Sequence, residues 1–122
     1  MKRLAVIPSD PIKEYFEKGY SHSWLEHYYN PCKYFDEVYL LSELETDNPS
    51  LLGMKVIHTP TRDLRRRIRE LNIDVVRAYG GNWACQAACE HKVRGVPVVV
   101  SIHDTNARIL YGSTNYADVV FS

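Results

Sequence analysis

The segment from Gly95 to Thr105 reads Gly-Val-Pro-Val-Val-Val-Ser-Ile-His-Asp-Thr and constrains the fold more than any other stretch. Its apolar residues are nearly continuous and β-branched, which is typical of a strand covered on both faces in a parallel sheet. The run ends in the polar residues His103, Asp104 and Thr105. Because open parallel sheets place their ligand sites just beyond the carboxyl ends of such strands, His103 is the first candidate functional residue.

Apolar runs and turn residues predict that strands and helices alternate along the chain. The predicted strands cover residues 3–8, 36–42, 54–59, 73–78, 96–102 and 118–122. The predicted helices cover residues 21–29, 60–71 and 83–93, with loops at 9–18 and 43–53 and a loop or short helix at 106–117. Because strand and helix alternate from Pro60 onward, right-handed crossovers should connect parallel strands. The sequence therefore predicts a three-layer α/β/α fold with a doubly wound, mostly parallel sheet of about six strands.

Composition predicts one domain in a reducing compartment. A chain of 122 residues with 45% hydrophobic content can bury one core and is too short for two ordinary domains. Fifteen basic residues balance fifteen acidic ones, so the overall charge does not favour a nucleic-acid partner. The three cysteines are too sparse for a secreted disulfide scaffold, and the apolar run from Leu4 to Pro8 is too short for a signal peptide or membrane span. We therefore expect a cytoplasmic protein.

Two further segments are candidates for substrate binding. The first follows the fourth predicted strand and consists of Tyr79, Gly80, Gly81 and Asn82. Its backbone N–H groups could face an anionic or hydroxyl-rich ligand, and the alternative is a tight turn whose glycines supply positive φ. It lacks the Gly-x-Gly-x-x-Gly fingerprint of dinucleotide-binding folds and the Gly-Lys-Ser/Thr of phosphate-binding loops. The second segment closes the long first loop and consists of Lys18, Gly19 and Tyr20, with a flexible surface loop as the alternative.

Three other patterns have plainer structural interpretations. Nine of the fourteen aromatic residues fall between Tyr15 and Tyr39. They could form a surface that stacks on sugars or lies next to lipid. Aromatic residues more commonly pack in the core and leave only a few rings exposed. The arginine run at residues 62–69 could contact anionic lipid at a membrane surface, but a solvated helix face is favoured. Cys85 and Cys89 with a nearby histidine are better explained as small buried side chains than as metal ligands. No metal and no cofactor are predicted.

Three motifs follow one another in the second half of the chain. They are Asp74-Val-Val-Arg-Ala-Tyr-Gly80, Arg94-Gly-Val-Pro-Val-Val-Val-Ser-Ile-His-Asp104 and Ala117-Asp-Val-Val-Phe-Ser122. In sequence and order they resemble the amino-terminal half of the group 1 (family four) glycosyltransferases of the GT-B fold. Those enzymes typically show an Asp-Val-Val-x-x-His-Gly-like strand, a Gly-x-Pro-x-Val-x-Thr-x-His-Asp strand and an Ala-Asp-x-Val-x-x-Ser strand. The resemblance covers residues 73–122 well and the earlier half through the order of its elements.

The resemblance implies a Rossmann-like domain and the transfer of a sugar from a nucleotide donor with retention at the anomeric carbon. In this family the active site lies between two Rossmann-like domains, and the amino-terminal domain mainly binds the acceptor. His103 matches the strand-end histidine that approaches the transferring sugar, and the loop at Lys18 to Tyr20 matches one that approaches donor phosphate or acceptor. Tyr79 stands where many members have histidine, and the first loop lacks their common double glycine.

The chain ends within its last predicted strand, so we expect residues 1–122 to be a single amino-terminal domain of a longer two-domain enzyme. The family's donor-binding domain, with its Glu-x7-Glu pattern, is absent from these residues, and this chain alone should have little or no transferase activity. The expected partners are a nucleotide-sugar donor and a carbohydrate, lipid or small-molecule acceptor. The alternative is a stand-alone flavodoxin-like or receiver-like binding module without catalysis. A receiver domain would need paired acidic residues after the first strand, where Asp10 stands alone.

Overall fold

Strands and helices alternate along the chain, of which the computed structural model describes residues 1–8, 10–51, 53–79, 83–101 and 119–121. The strands are β1 (Arg3–Ile7), β2 (Glu37–Ser42), β3 (Asn48–Leu51), β4 (Met54–His58), β5 (Val75–Tyr79), β6 (Val98–Ser101) and β7 (Val119–Phe121). The helices are α1 (Ile12–Glu17), α2 (His22–Tyr29), α3 (Leu64–Glu70) and α4 (Trp83–Glu90), with 3₁₀ turns at Pro31–Lys33 and Thr61–Asp63. Elements that the sequence predicts agree with these bounds to within four residues, the largest difference being at the start of α3.

The strand order of the sheet identifies its topology. Within the described residues the sheet has seven strands in the order β3-β4-β2-β1-β5-β6-β7, and every neighbouring pair is parallel except β3 with β4. Numbered among themselves, the parallel strands follow the order 3-2-1-4-5-6 of the doubly wound dinucleotide-binding folds. The flavodoxin-like order is 2-1-3-4-5, so this sheet does not have the topology of the alternative binding module. The predicted Rossmann-like, mostly parallel fold is confirmed.

Helices cover both faces of the sheet because successive residues of a strand point to opposite sides. Ala5 and Ile7 of β1 lie in one hydrophobic cluster with buried side chains of α3 and α4. Leu4 and Val6 lie in a second cluster with buried side chains of α1 and α2. Full burial of each large aliphatic side chain stabilises the fold by about 1.5–3 kcal/mol. The predicted three-layer α/β/α architecture is therefore confirmed, with one core on each side of the sheet.

Helix α1 lies inside residues 9–18, for which the sequence predicts a loop, so that prediction is wrong. Pro8 and Pro11 favour a loop, but Pro11 occupies the N-cap with φ −61°, a backbone angle that proline adopts without strain. Ile12, the first residue of α1, is buried in the core that α1 shares with α2. The start of α1 is also held by a residue distant in sequence, Glu45, which no local pattern shows.

The antiparallel strand β3 lies within residues 43–53, for which the sequence predicts a turn region, and this is a second correction. Its pairing with β4 is irregular, because the register shifts between Asn48 and Leu51. It occupies the edge of the sheet, where Pro49 is tolerated because an edge strand pairs on one side only. Residues 106–117, predicted as a loop or short helix, lie outside the described residues.

Candidate functional site

The strand order reverses between β1 and β5, and open α/β sheets bind ligands outside the carboxyl ends of their strands at such a point. Strand β1 ends at Ile7 and β5 ends at Tyr79. The Ile7 side chain joins the core under α3 and α4, whereas the Tyr79 side chain joins the core under α1 and α2. Tyr79, a predicted site residue, therefore lies where this topology places a ligand crevice.

Four aromatic rings form a continuous stack that starts at Tyr79, and we call it the aromatic ladder. The ring centroids of Tyr20 and Trp24 lie 4.3 Å apart with an interplanar angle of 18°, and those of Trp24 and Tyr28 lie 4.8 Å apart at 12°. The Tyr28 and Tyr79 centroids lie 5.0 Å apart at 39°. The four-residue spacing of Tyr20, Trp24 and Tyr28 aligns their rings along one side of α2 and the turn before it. Each ring contact contributes about 0.5–1.5 kcal/mol beyond its buried area.

The ladder leads from the core to the protein surface. Tyr79 is only 1% exposed, whereas Trp24 is 40% and Tyr20 is 42% exposed. Trp24 is stacked between Tyr20 and Tyr28, so both faces of its ring are covered. Ring edges carry partial positive charge, and the indole N–H and phenol O–H groups donate hydrogen bonds. This surface is therefore suited to a ligand rich in oxygen atoms.

The inner phenols of this region stay protonated near neutral pH because burial raises their pKa values. Desolvation raises the pKa of Tyr28 to about 12. Desolvation also raises the pKa of Tyr79 above its ordinary value, against the opposing effect of the Arg77 guanidinium. The pKa of Tyr29, which contacts both rings, is raised by burial as well. These hydroxyls can donate hydrogen bonds but cannot act as bases at neutral pH.

The predicted site residues Lys18, Gly19 and Tyr20 form the turn between α1 and α2. The backbone N–H of Lys18 donates to the carbonyl of Glu14, and that of Gly19 donates to the carbonyl of Phe16. Gly19 has φ +95°, a left-handed conformation that a side chain would strain, so glycine ends α1 here. The turn delivers Tyr20 to the outer end of the aromatic ladder, while Lys18 is exposed.

Arg77 lies on the same face of β5 as Tyr79, and its guanidinium carbon is 5.1 Å from the centroid of the Tyr79 ring. Its Nε donates a hydrogen bond of 3.2 Å to Oγ of Ser101, the last residue of β6 and 3% exposed. A charged side chain in the otherwise apolar strand Val75–Tyr79 is the sequence signal that could have identified it. Arg77 places a fixed positive charge beneath the inner end of the aromatic ladder.

Several predicted site residues cannot be placed. His103, Asp104, Gly80, Gly81 and Asn82 lie outside the described residues. Of the others, the structure joins Tyr20 and Tyr79 through two intermediate rings that the sequence analysis did not single out as site residues. Trp24 and Tyr28 lie in the predicted helix 21–29 and in the aromatic-rich segment between Tyr15 and Tyr39, and their four-residue spacing from Tyr20 was the available signal.

The described residues contain no group of three or more histidine, cysteine, aspartate or glutamate side chains arranged to hold a metal ion. Cys85 and Cys89 are both buried in α4, as the sequence analysis favours. Burial raises the pKa of the Cys85 thiol to about 12, so it remains a neutral thiol and not the thiolate that metals bind.

Within the described part of the chain, no helix has the length and apolar character needed to cross a bilayer. Comparisons with protein families, with characterised proteins and with solved structures found no match to this chain.

Proposed function

We propose that this chain is the acceptor-side domain of a retaining glycosyltransferase, a cytoplasmic two-domain enzyme that moves a sugar from a nucleotide-sugar donor to an acceptor. The observation that carries the proposal is the aromatic ladder, whose half-exposed rings Tyr20 and Trp24 lead to the carboxyl end of β5. The resemblance of residues 73–122 supplies the reaction type. The strand order supports the proposal because sheets of this order bind ligands outside the carboxyl ends of the two strands where the order reverses, and Tyr79 ends one of those strands.

The chemistry of the ladder favours a hydroxyl-rich acceptor such as a carbohydrate. Sugar hydroxyls accept hydrogen bonds from phenol and indole donors, and phenol oxygens accept hydrogen bonds in return. Tyr20, at the outer end of the ladder, is 42% exposed, and the apolar C–H groups of a sugar ring can pack against its aromatic surface. Arg77 adds a positive charge that would orient an oxygen-rich molecule toward Tyr79. A purely aliphatic acceptor would gain little from these polar groups.

In this proposal His103 contacts the transferring sugar, as the family resemblance implies, and Asp104 together with Gly80, Gly81 and Asn82 borders the acceptor. Histidine is suited to this place because its ring can donate a hydrogen bond to a sugar hydroxyl in either protonation state near neutral pH. The nucleotide part of the donor is bound mainly by a second domain, so the activity belongs to the two-domain enzyme.

The proposal is tested by incubating the purified full-length protein with a panel of UDP-, GDP- and ADP-sugars and mixed oligosaccharide acceptors. Mass spectrometry detects transfer, and NMR of the anomeric proton reports retention or inversion. We expect one donor to be consumed with retention. His103→Ala should lower the transfer rate by about 10²-fold or more, the usual effect of removing a group that acts in the transition state.

His27→Ala is the matched control, because His27 is an exposed residue of α2 outside the aromatic ladder. It should leave transfer unchanged. Absence of transfer and of donor hydrolysis with every donor would overturn the proposal. Full activity of the His103→Ala protein would remove His103 from the site.

A further inference from the structure

Four arginines line one side of α3 and the turn that precedes it. Arg62, Arg65, Arg66 and Arg69 recur at the i, i+3, i+4 and i+7 spacing that brings side chains to one helix face, and all four are exposed. The opposite side of α3 is buried through Leu64 and Ile68. This row lies on the α3 and α4 side of the sheet, across from the aromatic ladder.

The arginine row forms one wall of a groove of about 650 Å³, and the other wall is the end of α4 with Glu90 and His91. We call it the arginine groove. A guanidinium N–H of Arg65 donates a hydrogen bond of 3.0 Å to the backbone carbonyl of Glu90, which fixes the two helices at this distance. One hydrogen bond therefore links the two walls of this open groove.

The two carboxylates in the groove already have partners. Glu70 pairs with Arg66 at 3.1 Å and with Arg67 at 3.6 Å, and Glu90 accepts a hydrogen bond from the Gln86 amide. In contrast, Arg62 and Arg69 form no ion pair with any of the residues that the structure describes. Two guanidinium groups thus make no close ion pair and lie at opposite ends of the row, about 10 Å apart along the helix axis. The charge of Arg62 also acts on the Glu43 carboxylate, whereas Arg69 has no such neighbour among these ion pairs.

We propose that the arginine groove binds a small, freely diffusing phosphate-bearing anion. Four arginines and two glutamates give the lining a formal charge of +2 with His91 neutral, and a phosphate monoester carries about −1.5 to −2 at neutral pH. Guanidinium groups match phosphate oxygens because they offer paired N–H donors in a plane. The concave shape favours a small ligand over a flat bilayer, and the apolar side of α3 is buried and not available for insertion into lipid.

The test is calorimetric titration of the purified protein with inorganic pyrophosphate at low salt. We expect binding that weakens as NaCl increases, because exposed charges are screened. Arg62→Gln/Arg69→Gln should weaken binding by about tenfold, because two exposed charge contacts with the anion are lost. Arg62→Lys/Arg69→Lys keeps both positive charges but loses the planar pairs of N–H donors. Its affinity for pyrophosphate should lie between that of the parent and that of Arg62→Gln/Arg69→Gln.

The matched control is Lys13→Gln/Lys33→Gln, which removes two exposed positive charges on the other side of the sheet and should leave binding unchanged. Urea unfolding of each variant verifies that the fold is retained. Equal binding by the Arg62→Gln/Arg69→Gln protein and its parent would overturn the proposal. So would binding to phosphatidylglycerol vesicles without binding to pyrophosphate. Neither outcome depends on sugar transfer, so this site and the proposed function are tested separately.

Discussion

The carboxylate of Glu45, in the loop after β2, accepts a hydrogen bond of 2.6 Å from the backbone N–H of Ile12, the first residue of α1. Pro11 at the N-cap provides no side-chain hydrogen bond, so the distant carboxylate satisfies a donor that would otherwise lack a helical partner. Its negative charge also lies at the positive end of the helix dipole. In dinucleotide-binding folds the helix that follows the first strand binds pyrophosphate at this end, and here Glu45 occupies that position.

A second carboxylate holds the start of the 3₁₀ turn that precedes α3 in the same way. The carboxylate of Glu43 accepts a hydrogen bond from the backbone N–H of Thr61, where the turn before α3 begins. Hydrogen bonds from Thr61 hold the pKa of Glu43 below its usual range. The loop after β2 therefore fastens two helical segments that pack on opposite faces of the sheet, through two acidic side chains.

Glu45→Ala should lower the free energy of unfolding by about 1 kcal/mol, the usual effect of removing a charged capping group. Urea unfolding followed by circular dichroism at pH 7 measures the change. Glu17→Ala is the control, because Glu17 is an exposed residue at the other end of the same helix. It should change stability by less than about 0.5 kcal/mol. Equal stability of the Glu45→Ala protein and its parent would show that the hydrogen bond does not hold α1.

Glu37 should make stability depend on pH in the acid range. Its carboxylate accepts hydrogen bonds from the Tyr39 hydroxyl at 2.6 Å, Lys55 at 2.9 Å and Arg3 at 3.3 Å. These donors, the Tyr39 hydroxyl first, lower its pKa from 4.5 to about 2. A lowered folded-state pKa means that the stabilisation is complete above pH 4.5 and is lost as the pH falls toward 2.

The measurement is the urea midpoint of the parent and of Glu37→Gln between pH 7 and pH 2. We expect the parent to be more stable at neutral pH, with the difference shrinking below pH 4.5. A constant difference between parent and Glu37→Gln across the range would contradict the pKa shift.

Elements with a strong local pattern were predictable, and elements fixed by distant contacts were not. Helix α3 follows from the spacing of Leu64 and Ile68, and β6 follows from its β-branched run. Helix α1 is only six residues long and depends on Glu45, which lies far along the chain, so local propensity misses it. Strand β3 is an irregular edge strand that pairs, among the described strands, only with β4, so its own residues give a weak strand pattern.

The candidate site also has one part that the sequence predicts and another part that only the fold shows. The topology rule for parallel sheets led to Tyr79 because that residue directly follows a predicted strand. The contact between Tyr28 and Tyr79 joins α2 to β5, and no local pattern records a pair so distant in sequence. The guanidinium of Arg77 is held by a hydrogen bond to Ser101, and only the pairing of β5 with β6 brings these two residues together. Strand ends therefore predict where to look for a site, while the side chains that surround Tyr79 could be identified only from the fold.

Trp24→Ala should weaken acceptor binding if the aromatic ladder serves the proposed transferase. We expect the KM for the acceptor to rise about tenfold with a smaller change in kcat, because the ring contacts the acceptor and not the bond that breaks. Tyr34→Ala is the control, since Tyr34 is an aromatic residue that is 60% exposed and lies outside the ladder. Steady-state kinetics at saturating donor separate the two parameters. An unchanged acceptor KM in Trp24→Ala would remove the ladder from the acceptor site.

The three cysteines should react with thiol reagents at very different rates. Cys32 is exposed, whereas Cys85 and Cys89 are buried in α4, and burial raises the pKa of Cys85 to about 12. Because the thiolate is the reactive form, titration of the native protein with Ellman's reagent at pH 8 should release one fast equivalent, and all three only in denaturant. Cys32→Ser should abolish the fast phase, and Cys89→Ser should leave it intact. A second fast equivalent in the native protein would mean that α4 opens readily and that its packing on the sheet is weaker than the burial of these thiols indicates.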